Sequence, residues 1–281
     1  MNKKLIISAA LTGTGGSKQL SEHIPVTAEE IAADAVACAR AGATVIHVHV
    51  HDDQGNPTME TRFFKEAVTA MRAAREAAGV DFLINLTTSG GNPLDPDELR
   101  MAHLKESKPE LCSYDVGSFN WGCSGLFYNS PQLLESLAEC VAQYDIKPEI
   151  EIFDAGMMGN ALEYIRRGIL KPPCYFQFVL GVLGAMDSSV ENLEYLHRHL
   201  PPNSFWSVTG IGKGHLPMLL TGLALGCDGL RVGLEDNLYF EKGIKATNVR
   251  LVERAVQIAG LAGREIATAR EAREILGITY R

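Results

Sequence analysis

The chain has little basic charge. It carries 26 lysines and arginines against 34 aspartates and glutamates, a net charge of −8. A nucleic-acid partner would want a basic face, so none is expected. The same balance argues against docking on an anionic membrane. No apolar run is long enough to span a bilayer, so no membrane segment is expected either. The N-terminus is charged, but Leu5 to Leu11 alternates like a strand and is broken by Thr12-Gly13, so no signal peptide is expected. The six cysteines, Cys38, Cys112, Cys123, Cys140, Cys174 and Cys227, are dispersed and form no Cys-x-x-Cys pair. They read as reduced, mostly buried thiols of a cytoplasmic protein. No Pro- or Ser-rich linker, charge block or low-complexity run divides the chain.

What is present is a large apolar fraction, 46% of 281 residues, arranged in a regular alternation. Strands are expected at 4–11, 44–50, 81–88, 111–116, 147–153, 175–180, 204–208 and 229–234. Helices are expected after each, at 27–41, 60–78, 95–105, 130–144, 157–168, 189–199, 215–225 and 245–262. Thr27 and Glu30 have capping-box spacing, and Gly79 closes the second helix. Eight strand–helix units at this length predict a single (β/α)₈ TIM barrel. The catalytic domain is therefore expected to cover residues 1–281, with a short helical tail near 269–276. A doubly wound open sheet is the alternative. It would place a phosphate-binding glycine turn directly before a helix. The run Thr12-Gly13-Thr14-Gly15-Gly16-Ser17 is glycine-rich, but no helix begins until Thr27.

The most informative stretch is Val45-Ile46-His47-Val48-His49-Val50-His51. Apolar residues take one parity and histidines the other, as on a strand with two unlike faces. His47 and His49 then project from one face, one pleat apart, where two imidazoles can hold one metal ion. In the eighth strand, Arg231, Gly233 and Glu235 share one parity. An arginine and a glutamate facing a barrel interior are costly unless paired or metal-bound. Strands two and eight both flank strand one, whose end is small (Ser8, Ala9, Ala10, Thr12), so Glu235 is expected to approach the two histidines. A His₂Glu set with open positions is a catalytic coordination set. The bland alternative is an internal Arg231–Glu235 ion pair. Further polar strand ends are Asn85 and Thr87, followed by Thr88-Ser89-Gly90-Gly91-Asn92; Ser113 and Asp115; and Glu149 and Glu151, of which one could be surface charge at the barrel's lower end. His103, His197 and His199 fall in helices and are expected in solvent. His23 and His51 lie where they could reach the mouth.

Taken in order, several strings resemble the β-keto acid cleavage enzyme family. They are Ala9-Ala10-Leu11-Thr12-Gly13, Val45-Ile46-His47-Val48-His49, Asn85-Leu86-Thr87-Thr88, Lys108-Pro109-Glu110 through Asn120, Pro148-Glu149-Ile150-Glu151, Gln177-Phe178-Val179-Leu180-Gly181-Val182, Gly210-Ile211-Gly212 and Arg231-Val232-Gly233-Leu234-Glu235-Asp236-Asn237. The resemblance implies a zinc-dependent barrel that reacts a β-keto acid with acetyl-CoA, giving acetoacetate and a new CoA thioester. By family match His47, His49 and Glu235 are the zinc ligands, Asp236 is the general base and Arg231 its partner. Thr87, Ser113 and Glu151 match substrate-pocket positions. The resemblance also implies a homotetramer. One departure stands out: Gly15 lies where the family's aminohexanoate-cleaving member has a glutamate. Its absence is expected to weaken discrimination in favour of an ammonium-bearing substrate, shifting preference to neutral tails, with Glu151 able to compensate in part. The rival reading is a metal-dependent TIM-barrel hydrolase. Such enzymes usually carry His-x-His on strand one with more histidines on later strands, and strands five and six here supply none.

Overall fold

The structure, a computed structural model, describes residues 4–90 and 95–279. Eight parallel strands close into a barrel: β1 (Ile6–Ala10), β2 (Val45–Val48), β3 (Leu83–Leu86), β4 (Leu111–Asp115), β5 (Lys147–Ile152), β6 (Cys174–Leu180), β7 (Ser204–Gly210) and β8 (Gly229–Val232). Closure is made by β1, which pairs with β2 on one side and β8 on the other. The helices follow in turn: α1 (Ala28–Ala41), α2 (Thr61–Ala78), α3 (Asp97–Ser107), α4 (Pro131–Tyr144), α5 (Ala155–Arg166), α6 (Val190–Arg198), α7 (His215–Ala224), α8 (Asn248–Leu261) and the tail helix α9 (Ala269–Leu276). The (β/α)₈ architecture is as the alternation predicts. None of the helices is long and apolar enough to cross a membrane among the described residues.

Local signals set the helix ends. In α1 Thr27 accepts from the Glu30 N–H and the Glu30 carboxylate reaches back, a complete capping box. Gly79 stops α2 in the left-handed region at φ 63°. Ser130 caps α4 ahead of Pro131 at its first turn.

Strand alternation sorts side chains into two environments. Outward residues such as Ile7, Ile46, Ile84, Tyr114, Ile150, Phe176 and Leu230 pack under the helices in the main core. Inward residues at the lower end (Ile6, Val45, Leu83, Leu111 and Tyr175) form a second apolar cluster with Ala269, Ala272 and Leu276 of α9. The tail helix thus plugs the barrel floor. Arg273 fastens it there, donating to Asp81 Oδ2 at 2.6 Å and to Glu110 Oε1 at 3.2 Å. Above this apolar floor the inward positions turn polar, and that change of layer places the site.

Three short hairpins sit on the opposite, upper end: Val50–His51 with Pro57–Thr58, Phe119–Trp121 with Gly125–Phe127, and Tyr239–Glu241 with Ile244–Lys245. None was expected from the sequence. Strand two was expected to run to Val50. Instead β2 leaves the barrel after Val48, and Val50–His51 turns aside into its own hairpin.

Candidate active site

His47 and His49 lie at the upper end of β2, almost fully buried. His47 sits level with Ala10 of β1 and Asn85 of β3. Its Nε2 is 3.5 Å from Glu235 Oε2, and His49 Nε2 is 3.3 Å from Glu235 Oε1. All three ligand atoms lie within 4.8 Å of one another. Burial pushes the His47 imidazole down to about 3, so it is neutral at physiological pH, the form that binds a metal. Glu235 is held well below its ordinary 4.5: burial works to raise it, but Arg231 and both histidines outweigh that. Glu235 Oε2 is buried with no hydrogen-bond partner. Two imidazoles, that of His47 held neutral, and an ionised carboxylate with an unpartnered buried oxygen fit a divalent cation, and zinc suits this N₂O donor set. Thr14 Oγ1, 3.2 Å from His49 Nδ1, supports that ring from behind.

The route by which Glu235 arrives differs from the expected one. The barrel strand ends at Val232, so parity along β8 does not carry Glu235 inward. Gly233 does so, at φ 148°. A Cβ there would meet Ala10 O at 2.0 Å, so only glycine lets the chain press against β1 and turn. The turn is closed by Asp236 N–H and Asn237 N–H, both donating to Gly233 O. It swings Glu235 and Asp236, neighbours of opposite parity, toward one guanidinium.

That guanidinium is Arg231, 2% exposed. Nε donates to Asp236 Oδ2 at 3.0 Å and Nη2 to Asp236 Oδ1 at 3.1 Å, a two-pronged grip. Nη2 also reaches Glu235 Oε1 at 2.7 Å, and Nη1 reaches Glu151 Oε1 at 3.2 Å. The ion pair offered as the bland alternative therefore exists, within a larger network. Burial alone would lower the Arg231 pKa, but Asp236, Glu235 and Glu151 more than offset it, so the charge is permanent. Burial raises Asp236 above its ordinary 3.8, with Arg231 opposing, and Thr209 Oγ1 donates to its Oδ2 at 3.1 Å. Thr209 was not singled out in the sequence.

A cavity of about 720 Å³ opens over these groups. Thr87, Ser113, Asp115 and Glu151 all line it, as do His47, His49, Glu235 and Asp236. Thr87 Oγ1 lies 2.9 Å from Ser89 Oγ and accepts from Ser89 N–H. The rest of the expected glycine tip, Gly91 and Asn92, lies outside the described residues. Ser113 Oγ accepts from Thr88 N–H at 2.9 Å and lies 3.4 Å from Thr88 Oγ1, which itself donates to Ser113 O at 2.9 Å. Asp115 is buried and pushed up to about 6 chiefly by that burial, against the pull of Arg100. The hairpin after β4 supplies an apolar wall of Trp121 and Phe127, backed by Phe153.

Two expectations are corrected. Glu149 and Glu151 are both buried, so neither is surface charge. Glu149 points into the barrel, accepts from Asn85 Nδ2 at 2.5 Å, and is pushed up to about 7 mainly by burial. His103 is not in solvent: α3 turns it inward, fully buried and stacked on Phe64 with ring centroids 3.9 Å apart. His197 is half-buried against Trp206, and His199 is exposed. His51 supports the strand-one loop, its Nε2 lying 3.0 Å from Gly16 O, while His23 is exposed.

A barrel whose upper face gathers two histidines, a glutamate and an arginine-held aspartate has the layout of a TIM-barrel enzyme. The family model for the beta-keto acid cleavage enzymes matches residues 4–278, and the chain belongs to that family. It is 37% identical over 279 residues, 99% of both chains, to the 3-keto-5-aminohexanoate cleavage enzyme of Fusobacterium nucleatum, and equally to that of Acetoanaerobium sticklandii. It is 32% identical to the 3-dehydrocarnitine:acetyl-CoA trimethylamine transferase of Rhizobium meliloti, over 100% of this chain and 99% of that one. Among solved structures, apo ObcA shares the fold with a TM-score of 0.82 at 22% identity, covering 92% of this chain and 66% of that one.

Proposed function

We propose that the chain is a zinc-dependent, single-domain enzyme that condenses a β-keto acid with acetyl-CoA and cleaves the adduct to acetoacetate and a new acyl-CoA. The observation that carries this reading is the convergence of His47, His49 and Glu235 beside the Arg231–Asp236 pair in one cavity. The names of relatives that use acetyl-CoA as co-substrate support it. The family resemblance further leads us to a cytoplasmic homotetramer.

His47, His49 and Glu235 would hold the zinc, which when bound supplies a Lewis acid for the keto oxygen. Asp236 takes a proton from the carbon between the two carbonyls. Burial makes it a stronger base than a solvated aspartate, and Arg231 with Thr209 fixes its direction. The resulting carbanion attacks the acetyl carbon of the thioester, and CoA leaves as thiolate. The thiolate then adds to the former keto carbon. The bond between that carbon and its α-carbon breaks, leaving the substrate's acyl group on CoA, and Asp236 returns its proton to the α-carbon to release acetoacetate. Thr87 and Ser113 orient the substrate carboxylate and developing oxyanions by donating hydrogen bonds. Glu151, held by Arg231, lines the same pocket.

The test is to incubate the purified protein with a panel of β-keto acids, with and without acetyl-CoA, following acetoacetate and the new thioester by mass spectrometry. Both products should appear together and only with acetyl-CoA. Breakdown of a substrate at full rate without the thioester would favour the metal-dependent hydrolase instead.

A further inference from the structure

His47 shows the Glu235 carboxylate its Nε2, so its Nδ1 faces the other way, into the barrel. That Nδ1 is buried and has no hydrogen-bond partner. The residue level with His47 on the next strand is Asn85, inward-facing and fully buried. Its Nδ2 is committed, donating to Glu149 Oε2 at 2.5 Å. Its Oδ1 is buried and unpartnered. An unpartnered imidazole nitrogen therefore stands level, on the neighbouring strand, with an unpartnered amide oxygen. Glu149 fixes which way the amide faces: with its NH₂ turned to the carboxyl group, only the oxygen is left for His47. Glu149 is itself locked in place on β5, between Ser113 of β4 and Tyr175 of β6.

We propose that Glu149 and Asn85 form a hydrogen-bonded relay behind His47, Asn85 Oδ1 accepting from Nδ1–H, which fixes the ring tautomer and leaves Nε2 free to bind the metal. Both are positioning residues: neither lines the cavity, and neither touches substrate. Groups that orient a ligand in this way typically change metal affinity by about 10- to 100-fold when removed. The relay rests on the reading that His47 is a zinc ligand, and the experiment separates the two.

Zinc affinity is measured on the full chain by competition with a chromogenic chelator, so no turnover is involved. Asn85→Leu keeps the volume and removes both links, and should weaken zinc binding about 10- to 100-fold. Glu149→Gln keeps an oxygen for the Asn85 NH₂ and should stay within about threefold of the parent, a smaller loss than that removal range. Zinc binding by Asn85→Leu equal to the parent's would overturn the relay. Should Asn85→Leu fail to fold, the parent alone decides the matter. In ¹⁵N-histidine NMR of the zinc-loaded chain, His47 should show a protonated Nδ1 and a metal-bound Nε2, and the opposite assignment would overturn the relay. No zinc binding by the parent would remove the metal reading and the relay together.

Discussion

Substituting Gly15 with glutamate is the sharpest test of how this cavity selects substrates. Gly15 lines the cavity mouth, and nothing lies within 4 Å of where its Cβ would be. Its backbone is outside the left-handed region, so a side chain meets neither a clash nor a conformational penalty. Gly15 is exposed, which limits what a new carboxylate there can contribute. A hydrogen bond to a charged group is worth about 1.5–3 kcal/mol, whereas an exposed ion pair is worth about 0.2–1 kcal/mol. A mouth position that a bound substrate covers lies between these, near 1.4 kcal/mol, or about tenfold. The assay is the ratio of kcat/KM for 3-keto-5-aminohexanoate to that for uncharged 3-ketohexanoate, at saturating acetyl-CoA. Gly15→Glu should raise this ratio about tenfold, with kcat on the neutral substrate nearly unchanged. A ratio unmoved in a folded variant would refute the argument that the substrate tail points at the strand-one loop.

The remaining predictions concern the metal, the base and a buried histidine. His47→Ala combined with His49→Ala should lose zinc by elemental analysis while keeping its circular dichroism spectrum; full zinc content in that protein would sink the ligand assignment. Asp236→Asn should retain zinc yet lose about 10²–10⁴ in turnover, and solvent deuterium exchange into the β-keto acid should fall in parallel. Undiminished exchange would place the base elsewhere. His103 titrates near 6.5 when unfolded but is pushed down to about 3 by burial in the fold. Between those values the unfolded chain binds the extra proton, so stability falls with decreasing pH by about 1.4 kcal/mol per unit, and no such loss occurs above 6.5. His103→Phe, which keeps a ring against Phe64, should flatten the acid limb of a urea-denaturation series by one proton; an unchanged slope would mean that His103 titrates normally in the fold.

The barrel could be read from the sequence because each of its strands is a buried run with a helix signal behind it. The His-x-His face could be read for the same reason: β2 keeps its period-two pattern through His47. Reading failed where the chain leaves regular structure. The three hairpins have strands of two or three residues, too short for any periodicity to register. Glu235 was placed correctly by an argument that the structure replaces, since the turn at Gly233 and not strand parity brings it in. Asp236 was recognisable only through family likeness, because parity along β8 would have sent it outward. His103 was misplaced because its helix has a weakly marked apolar face, and the stack with Phe64 is a contact between helices that neither segment advertises. The relay from Glu149 through Asn85 joins β5 to β3 to β2, and sequence order gives no sign that those residues are neighbours.

The glycine loop after β1 divides what can vary from what cannot. A Cβ on Gly13 would come within 2.5 Å of Glu235 Cγ, and Thr14 is engaged with His49. Both positions are thus tied to the proposed metal ligands. A Cβ on Gly15, next in line, would meet nothing within 4 Å. On the far side of the site, one guanidinium grips Glu235, Asp236 and Glu151 together, so no member of that set can change without disturbing the others. Change is therefore channelled: the proposed reaction machinery is tied together by its shared contacts, while Gly15 stays open. A side chain placed at Gly15 would alter what the cavity mouth presents to a substrate while leaving those shared contacts as they are.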